Sequence, residues 1–170
     1  MKRVLIIDTS ILCVWLDVPG MDNCGPDDDK WDKDRVEKKI EKEKADNTVF
    51  VLPLATIIET GNHIAQSAHS RRERAEALAN IMRLSAAQQS PWAAFSDQSA
   101  LWSPEKLTTL ANTWPELASQ KLSLGDATIK EVAEHYGQMG YSVEILTGDK
   151  GLKALQPAAP APVPRRRQPR

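Results

Sequence analysis

Apolar residues along the chain fall into short unbroken runs separated by longer amphipathic stretches. The first run, Val4-Leu5-Ile6-Ile7, is mostly β-branched and leads straight into Asp8-Thr9-Ser10. An unbroken run of that length predicts a strand buried on both faces, as inside a parallel sheet. Ile11, Leu12, Val14, Trp15 and Leu16 then predict a first helix, capped by Thr9 or Ser10, with Cys13 as a small core residue. Thr48-Val49-Phe50-Val51-Leu52 predicts a second strand, ended by Pro53. A helix over Leu54–Gln66 follows, with Leu54, Ile57, Ile58 and Ala65 on one face, and another over 70–87. Residues 92–95 read as a short third strand. Ser103-Pro104-Glu105 is a helix start with Ser as cap and Pro in the first turn, and that helix is expected to reach about residue 112. Ile129, Val132, Ala133 and Tyr136 repeat with helical spacing and close at Gly137 and Gly140. Val143-Glu144-Ile145-Leu146 predicts a final strand, and a short helix to Leu155 follows.

Residues 17–46 form a charged insertion. Pro19-Gly20 and Gly25-Pro26 break it, Asp27-Asp28-Asp29 is an acidic run, and Val36 and Ile40 mark a narrow apolar stripe on a solvated helix. The acidic run reads as a hydrated loop. Trp102 and Trp114 read as core or lid residues rather than platforms for stacking bases. Beyond residue 155 the chain is mostly Pro, Ala and Arg with no apolar pattern, a composition that predicts a disordered, polyproline-leaning tail over 156–170.

Strands alternating with helices predict an α/β fold with a central, mostly parallel sheet and helices on both faces, in one domain over 1–155. With 170 residues, 41% hydrophobic and 26% charged, the chain is long and apolar enough to bury a full core of its own. No apolar run approaches the roughly 20 residues of a membrane helix, and Met1-Lys2-Arg3 leads into too short a run for a signal peptide. Cys13 and Cys24, with no C-x-x-C pair, point to reduced thiols and a cytoplasmic protein. Net charge is −1, and setting aside Arg165, Arg166, Arg167 and Arg170 leaves −5 for residues 1–164. Bulk attraction to nucleic acid is therefore confined to the tail.

Four carboxylates fall where the chemistry of an α/β sheet collects, outside the carboxyl ends of its strands. Asp8 and Asp149 follow strands; Glu59 and Asp126 lie early in helices expected to leave the same edge. Two have bland alternatives: Asp8 as a helix cap or strand end, and Asp126 as a charge complementing a helix dipole. Glu59 is the exception, because a carboxylate beside Ile57 and Ile58 needs a partner or a metal. Acids converging at one edge repel unless a divalent cation neutralises them, and all-oxygen donors suit Mg²⁺ or Mn²⁺. Such a site, without a nucleophile of its own, matches metal-assisted hydrolysis of a phosphodiester. His63 (one turn beyond Glu59), Lys150, Arg71 and Arg72 are candidate substrate contacts, each also readable as a solvated surface residue.

Asp8-Thr9-Ser10 after the first strand, Glu59 after the second, Leu124-Gly125-Asp126-Ala127 opening a late helix, and Leu146-Thr147-Gly148-Asp149 together resemble a PIN domain nuclease. The four segments bracket residues 4–155 in the expected order. The resemblance implies a three-layer α/β/α sandwich and a Mg²⁺- or Mn²⁺-dependent endoribonuclease acting on single-stranded or looped RNA. It assigns Asp8, Glu59, Asp126 and Asp149 to the metal-binding acidic quartet, and Ser10 and Thr147 to the hydroxyls that support it. Many members of the family are toxins of bacterial toxin–antitoxin pairs, and others act in RNA processing or defence. A protein partner or inhibitor and a homodimer are thus also expected. Insertion 17–46 and the Arg-Pro tail depart from a compact toxin. A non-catalytic PIN-like module binding RNA or protein is the competing reading. A haloacid-dehalogenase-type phosphohydrolase would need an aspartate where Ser10 stands.

Overall fold

The computed structural model describes residues 2–160. Its first half runs β1 (Arg3–Ile7), α1 (Thr9–Trp15), a small antiparallel hairpin of β2 (Asn23–Cys24) and β3 (Trp31–Asp32), α2 (Lys33–Ala45) and β4 (Val49–Val51). The second half runs α3 (Leu54–Gln66), α4 (Arg71–Ala86), a 3-10 segment over Phe95–Trp102, α5 (Pro104–Ser119), α6 (Leu124–Gln138), β5 (Ser142–Leu146) and α7 (Lys150–Lys153). The main sheet has three parallel strands in the order β4-β1-β5.

Its central strand explains the unbroken apolar run. Leu5 and Ile7 pack with Phe50 against residues of α1, α2, α3 and α4, including Ile11, Leu12, Ile40 and Ile64. Val4 and Ile6 point the other way and join Val51, Val143 and Ile145 against Ile129, Val132 and Tyr136 of α6. Successive residues of a strand face opposite sides, so a strand covered on both faces has no polar register to offer. No helix among the described residues is long and apolar enough to cross a membrane.

Four expectations change. The segment at 92–95 pairs only through Trp92, in a single parallel bridge to Phe50, before the chain enters the 3-10 segment. Helix α5 continues to Ser119, through Pro115, and buried Leu110 and the bond from Trp114 Nε1 to Leu122 O (3.3 Å) anchor the turns before the proline. The buried stripe of α3 is Thr56, Thr60 and Ile64, while Ile58 is 54% exposed. At Thr56 the inner face is met by an inward bond, from Oγ1 to Ile7 O at 2.9 Å. Trp102, expected in the core or a lid, is 41% exposed. Residues from 161 onward lie outside those described, and so does most of the expected disordered tail; at its start, Gln156 Oε1 accepts the Ile145 amide at 2.9 Å.

The charged insertion contributes an unexpected core residue. Glu43 of α2 has no exposed surface. It accepts from Arg3 at 3.0 Å, Lys39 at 2.8 Å and Thr48 Oγ1 at 2.6 Å, and Lys39 reaches on to Glu144 of β5. Burial pushes the Glu43 carboxyl up, but the bonds from Lys39 and Thr48 and the charges of Lys39 and Arg3 outweigh it and hold it below the ordinary range.

Candidate active site

Asp8 stands at the carboxyl end of the central strand, its amide still paired to Leu146 O of β5 at 3.1 Å. Its backbone occupies the cap position of α1, yet its side chain makes no capping bond. The carboxylate turns instead to Ser10 Oγ and Thr147 Oγ1, each donating to Oδ2 at 2.7 Å. Both hydroxyls are themselves anchored from behind. The Gly148 amide donates to Ser10 Oγ at 3.1 Å, and the Asp149 amide to Thr147 Oγ1 at 2.9 Å. The turn after β5 thereby locks the two groups that hold Asp8. Burial raises the Asp8 pKa; the two hydroxyls and the Thr9 amide oppose the rise, and the negative charge of Asp126 adds to it.

Glu59 comes from the second turn of α3. Thr9 Oγ1 donates to its Oε2 at 3.0 Å, so the consecutive residues Thr9 and Ser10 serve two different carboxylates. Its other oxygen, Oε1, lies directly over Gly125 of α6, in space that a side chain at 125 would fill. Burial raises the Glu59 pKa, repulsion from Asp8 and Asp126 raises it further, and Thr9 and His63 pull it back. Asp8, Glu59 and Asp126 are thus close enough to feel one another's charge.

Asp126 and Asp149 carry a second duty. Asp126 closes a capping box at the start of α6, accepting the Ser123 amide at 3.0 Å while Ser123 Oγ accepts the Asp126 amide at 3.0 Å. Asp149 is exposed and caps α7, its Oδ1 accepting from Gly151 at 2.6 Å and Leu152 at 3.1 Å. Among the described residues, no three His, Cys, Asp or Glu side chains stand close enough together to share a metal ion as they lie.

The chain matches no family model, no curated protein and no solved structure.

Carboxylates and hydroxyls make the side-chain bonds of Asp8 and Glu59, with the Thr9 amide on Asp8 and His63 near Glu59, and the carboxylates repel one another. That donor set fits a hard divalent cation, which would replace mutual repulsion with attraction. A thiol nucleophile is absent from the edge in chemical terms. Burial pushes the Cys13 thiol up to about 11, and it raises Cys24 as well, so neither forms a thiolate near neutral pH.

Of the candidate substrate contacts, only His63 acts on the carboxylates, through its pull on Glu59. Lys150 is paired with Asp28 at 3.1 Å, Arg71 Nε donates to Ser67 O at 2.7 Å, and Arg72 pairs with Glu76 at 3.0 Å. The acidic run is tied down in the same way, with Asp29 bound to Arg35 at 2.7 Å and to Lys153 at 3.6 Å. Those pairs hold the hairpin turn of the insertion against the 148–153 segment. Contact there is tight: a side chain added at Gly148 would meet the Gly25 amide at 2.7 Å and Cys24 Sγ at 2.8 Å. The insertion is a buttress for the turn that anchors Ser10 and Thr147. Sequence reasoning missed this buttress, the Thr9–Glu59 bond and the fit of Glu59 over Gly125; the pair of adjacent hydroxyls after Asp8 was the one available signal.

Proposed function

We propose that the chain is a PIN-type endoribonuclease that uses Mg²⁺ or Mn²⁺ to hydrolyse RNA phosphodiester bonds at this edge. One observation carries the reading: Asp8 is buried with no counter-charge bonded to it, held by two hydroxyls and repelled by Asp126. A buried carboxylate without a cationic partner costs stability, and a site that tolerates the cost is a functional candidate. The α/β layout with helices on both sheet faces is compatible with a PIN-like sandwich.

Asp8, Glu59 and Asp126 would hold the ion, and Asp149 would join them once its carboxylate left the amides of α7. A bound divalent ion supplies a water of lowered pKa and neutralises charge on the phosphate oxygens. Ser10 and Thr147 fix the orientation of Asp8 and favour its ionised form, and Thr9 does the same for Glu59. A toxin or RNA-processing role, a protein inhibitor and a homodimer belong to the same proposal.

A second reading is favoured by the capping bonds of Asp126 and Asp149, which occupy both carboxylates with helix-start amides. On that reading the chain is a non-catalytic module that binds RNA or protein. Cleavage of total cellular RNA in Mn²⁺ or EDTA, by the wild type and Asp8→Asn, decides between the two. Metal-dependent fragments absent from the variant are expected; intact RNA after incubation with folded, Mn²⁺-supplied wild type would leave the binding module.

A further inference from the structure

Beside Glu59 the surface opens into an apolar hollow of about 330 Å³ between α3 and α6. Ile58 and Glu59 line it from α3, Leu124, Gly125 and Thr128 from α6, and Trp102 closes one end. Ile58, Trp102 and Leu124 are 54%, 41% and 46% exposed, so half of the large apolar side chains left open on the described surface gather at this one place. Trp102 is set there by its neighbours: Leu101 packs into the core beneath α6, and buried Gln98 bonds to Leu52 O at 2.9 Å. The indole is thus held on a fixed segment and still leaves much of its surface to solvent.

The hollow is continuous with the carboxylates, because Glu59 belongs to both and Gly125 forms part of the floor between them. Its size suits a single ring system. A protein partner needs roughly 800 Å² on each side for a stable interface, and a docking helix needs anchors spread over several turns. A planar base needs one aromatic face and an apolar slot.

We propose that this hollow is a stacking subsite, taking one unpaired base of a single-stranded RNA against Trp102, next to the phosphate attended by Asp8 and Glu59. The assignment rests on the nuclease reading and deepens it. Bases inside a duplex are already stacked and cannot enter, in keeping with the single-stranded or looped RNA that the PIN resemblance implies.

The test uses the full wild-type chain with Ca²⁺ in place of Mn²⁺, so that the carboxylates hold a hard cation while cleavage is suppressed, and a fluorescein-labelled single-stranded oligoribonucleotide of mixed sequence. Trp102→Ala is expected to weaken binding by about 5- to 100-fold, the range for loss of one base–aromatic stack, and Trp102→Phe to restore most of it. Leu124→Ala should act in the same direction. Met82→Ala, which removes another exposed apolar side chain from α4, should leave binding unchanged. Equal binding by wild type and Trp102→Ala would overturn the subsite while leaving metal-dependent RNA cleavage to stand on its own assay. Absence of both binding and cleavage in the wild type would overturn the nuclease reading and the subsite together. A concentration-dependent dimer dissociated by Trp102→Ala would give the patch to a second copy of the chain and also overturn the proposal.

Discussion

At Asp8 the backbone occupies a helix-cap position while the carboxylate faces two anchored hydroxyls, so capping does not explain why the residue is charged. Asp8→Asn keeps an acceptor for Ser10 and Thr147 and removes the repulsion from Asp126. The variant is expected to fold with unchanged or higher thermal stability, measured by circular dichroism, and to lose RNA cleavage. A drop of several kcal/mol in stability would instead make Asp8 a structural residue. Gly125→Ala separates geometry from charge more sharply. Alanine is a better helix former than glycine by about 1 kcal/mol, so the fold should hold. Its methyl group would overlap Glu59 Oε1, and the end of that flexible side chain must move. Cleavage is expected to fall while the melting temperature stays the same or rises. Much of this was legible in sequence, since strand ends, helix starts and hydroxyls two residues from an acid are all local patterns. The Thr9–Glu59 bond was not, because it joins residues 50 positions apart and depends on how α3 packs against α1. That Trp102 stands outside the core was hidden for a similar reason. An indole in an apolar stretch reads as core, and only the packing of Leu101 beneath α6 turns it outward.

Helices and strands were read well where one periodicity governed and poorly where polar groups did the packing. Strand β1 and the stripe of α6 follow directly from apolar spacing. Helix α3 does not, because its buried positions include two threonines and its most apolar pair straddles the boundary of the core. Glu43 in α2 is the extreme case: its bonds with Arg3, Lys39 and Thr48 join β1, α2 and the turn before β4, and no local pattern announces them. The Glu43 carboxyl is held below its ordinary range, so the folded state binds its proton less readily than the unfolded state. Its contribution to stability is therefore complete above the unfolded value and is lost as pH falls through the lower folded value. Glu43→Gln is expected to cost about 1–3 kcal/mol near neutral pH. The same change should flatten the loss of stability below about pH 4 in urea titrations, where the wild type declines more steeply. Parallel curves for the two proteins would show that Glu43 is not what titrates. The hairpin offers a second test at this scale. Gly148→Ala would force the Cys24–Gly25 loop away, and with it the turn whose amides hold Ser10 and Thr147. RNA cleavage should fall far more than after Asp28→Asn, which removes only an exposed ion pair of the kind that contributes at most about 1 kcal/mol.

For the whole molecule, charge is the feature that the fold leaves unbalanced. Residues 1–164 carry −5, and the edge expected to meet a polyanionic substrate is acidic rather than basic. The flanking Lys150 and Arg72 are each paired with an acid, and Arg71 is bonded to a backbone carbonyl. On the nuclease reading, attraction to phosphate at this edge, apart from the arginines of the tail, would come through a cation held by the carboxylates, which would couple substrate binding, catalysis and stability to the same ion. That coupling is measurable without any RNA. A ligand that binds only the native state stabilises it by about 2.7 kcal/mol at 100 times its dissociation constant. For a chain of this length the corresponding rise is about 5–10 °C in melting temperature. Saturating Mn²⁺ is expected to give a rise of that order in the wild type, EDTA to reverse it, and Asp8→Asn to show little of it. Asp149→Asn is the informative companion. If Asp149 only caps α7, the variant loses a little stability and keeps the full Mn²⁺ response, since Asn remains a good cap. If its carboxylate leaves the Gly151 and Leu152 amides to join the ion, the response shrinks as it does for Asp8→Asn. The pair of curves thus separates a quartet from a triad, and a wild type indifferent to Mn²⁺ would move the reading to the binding module.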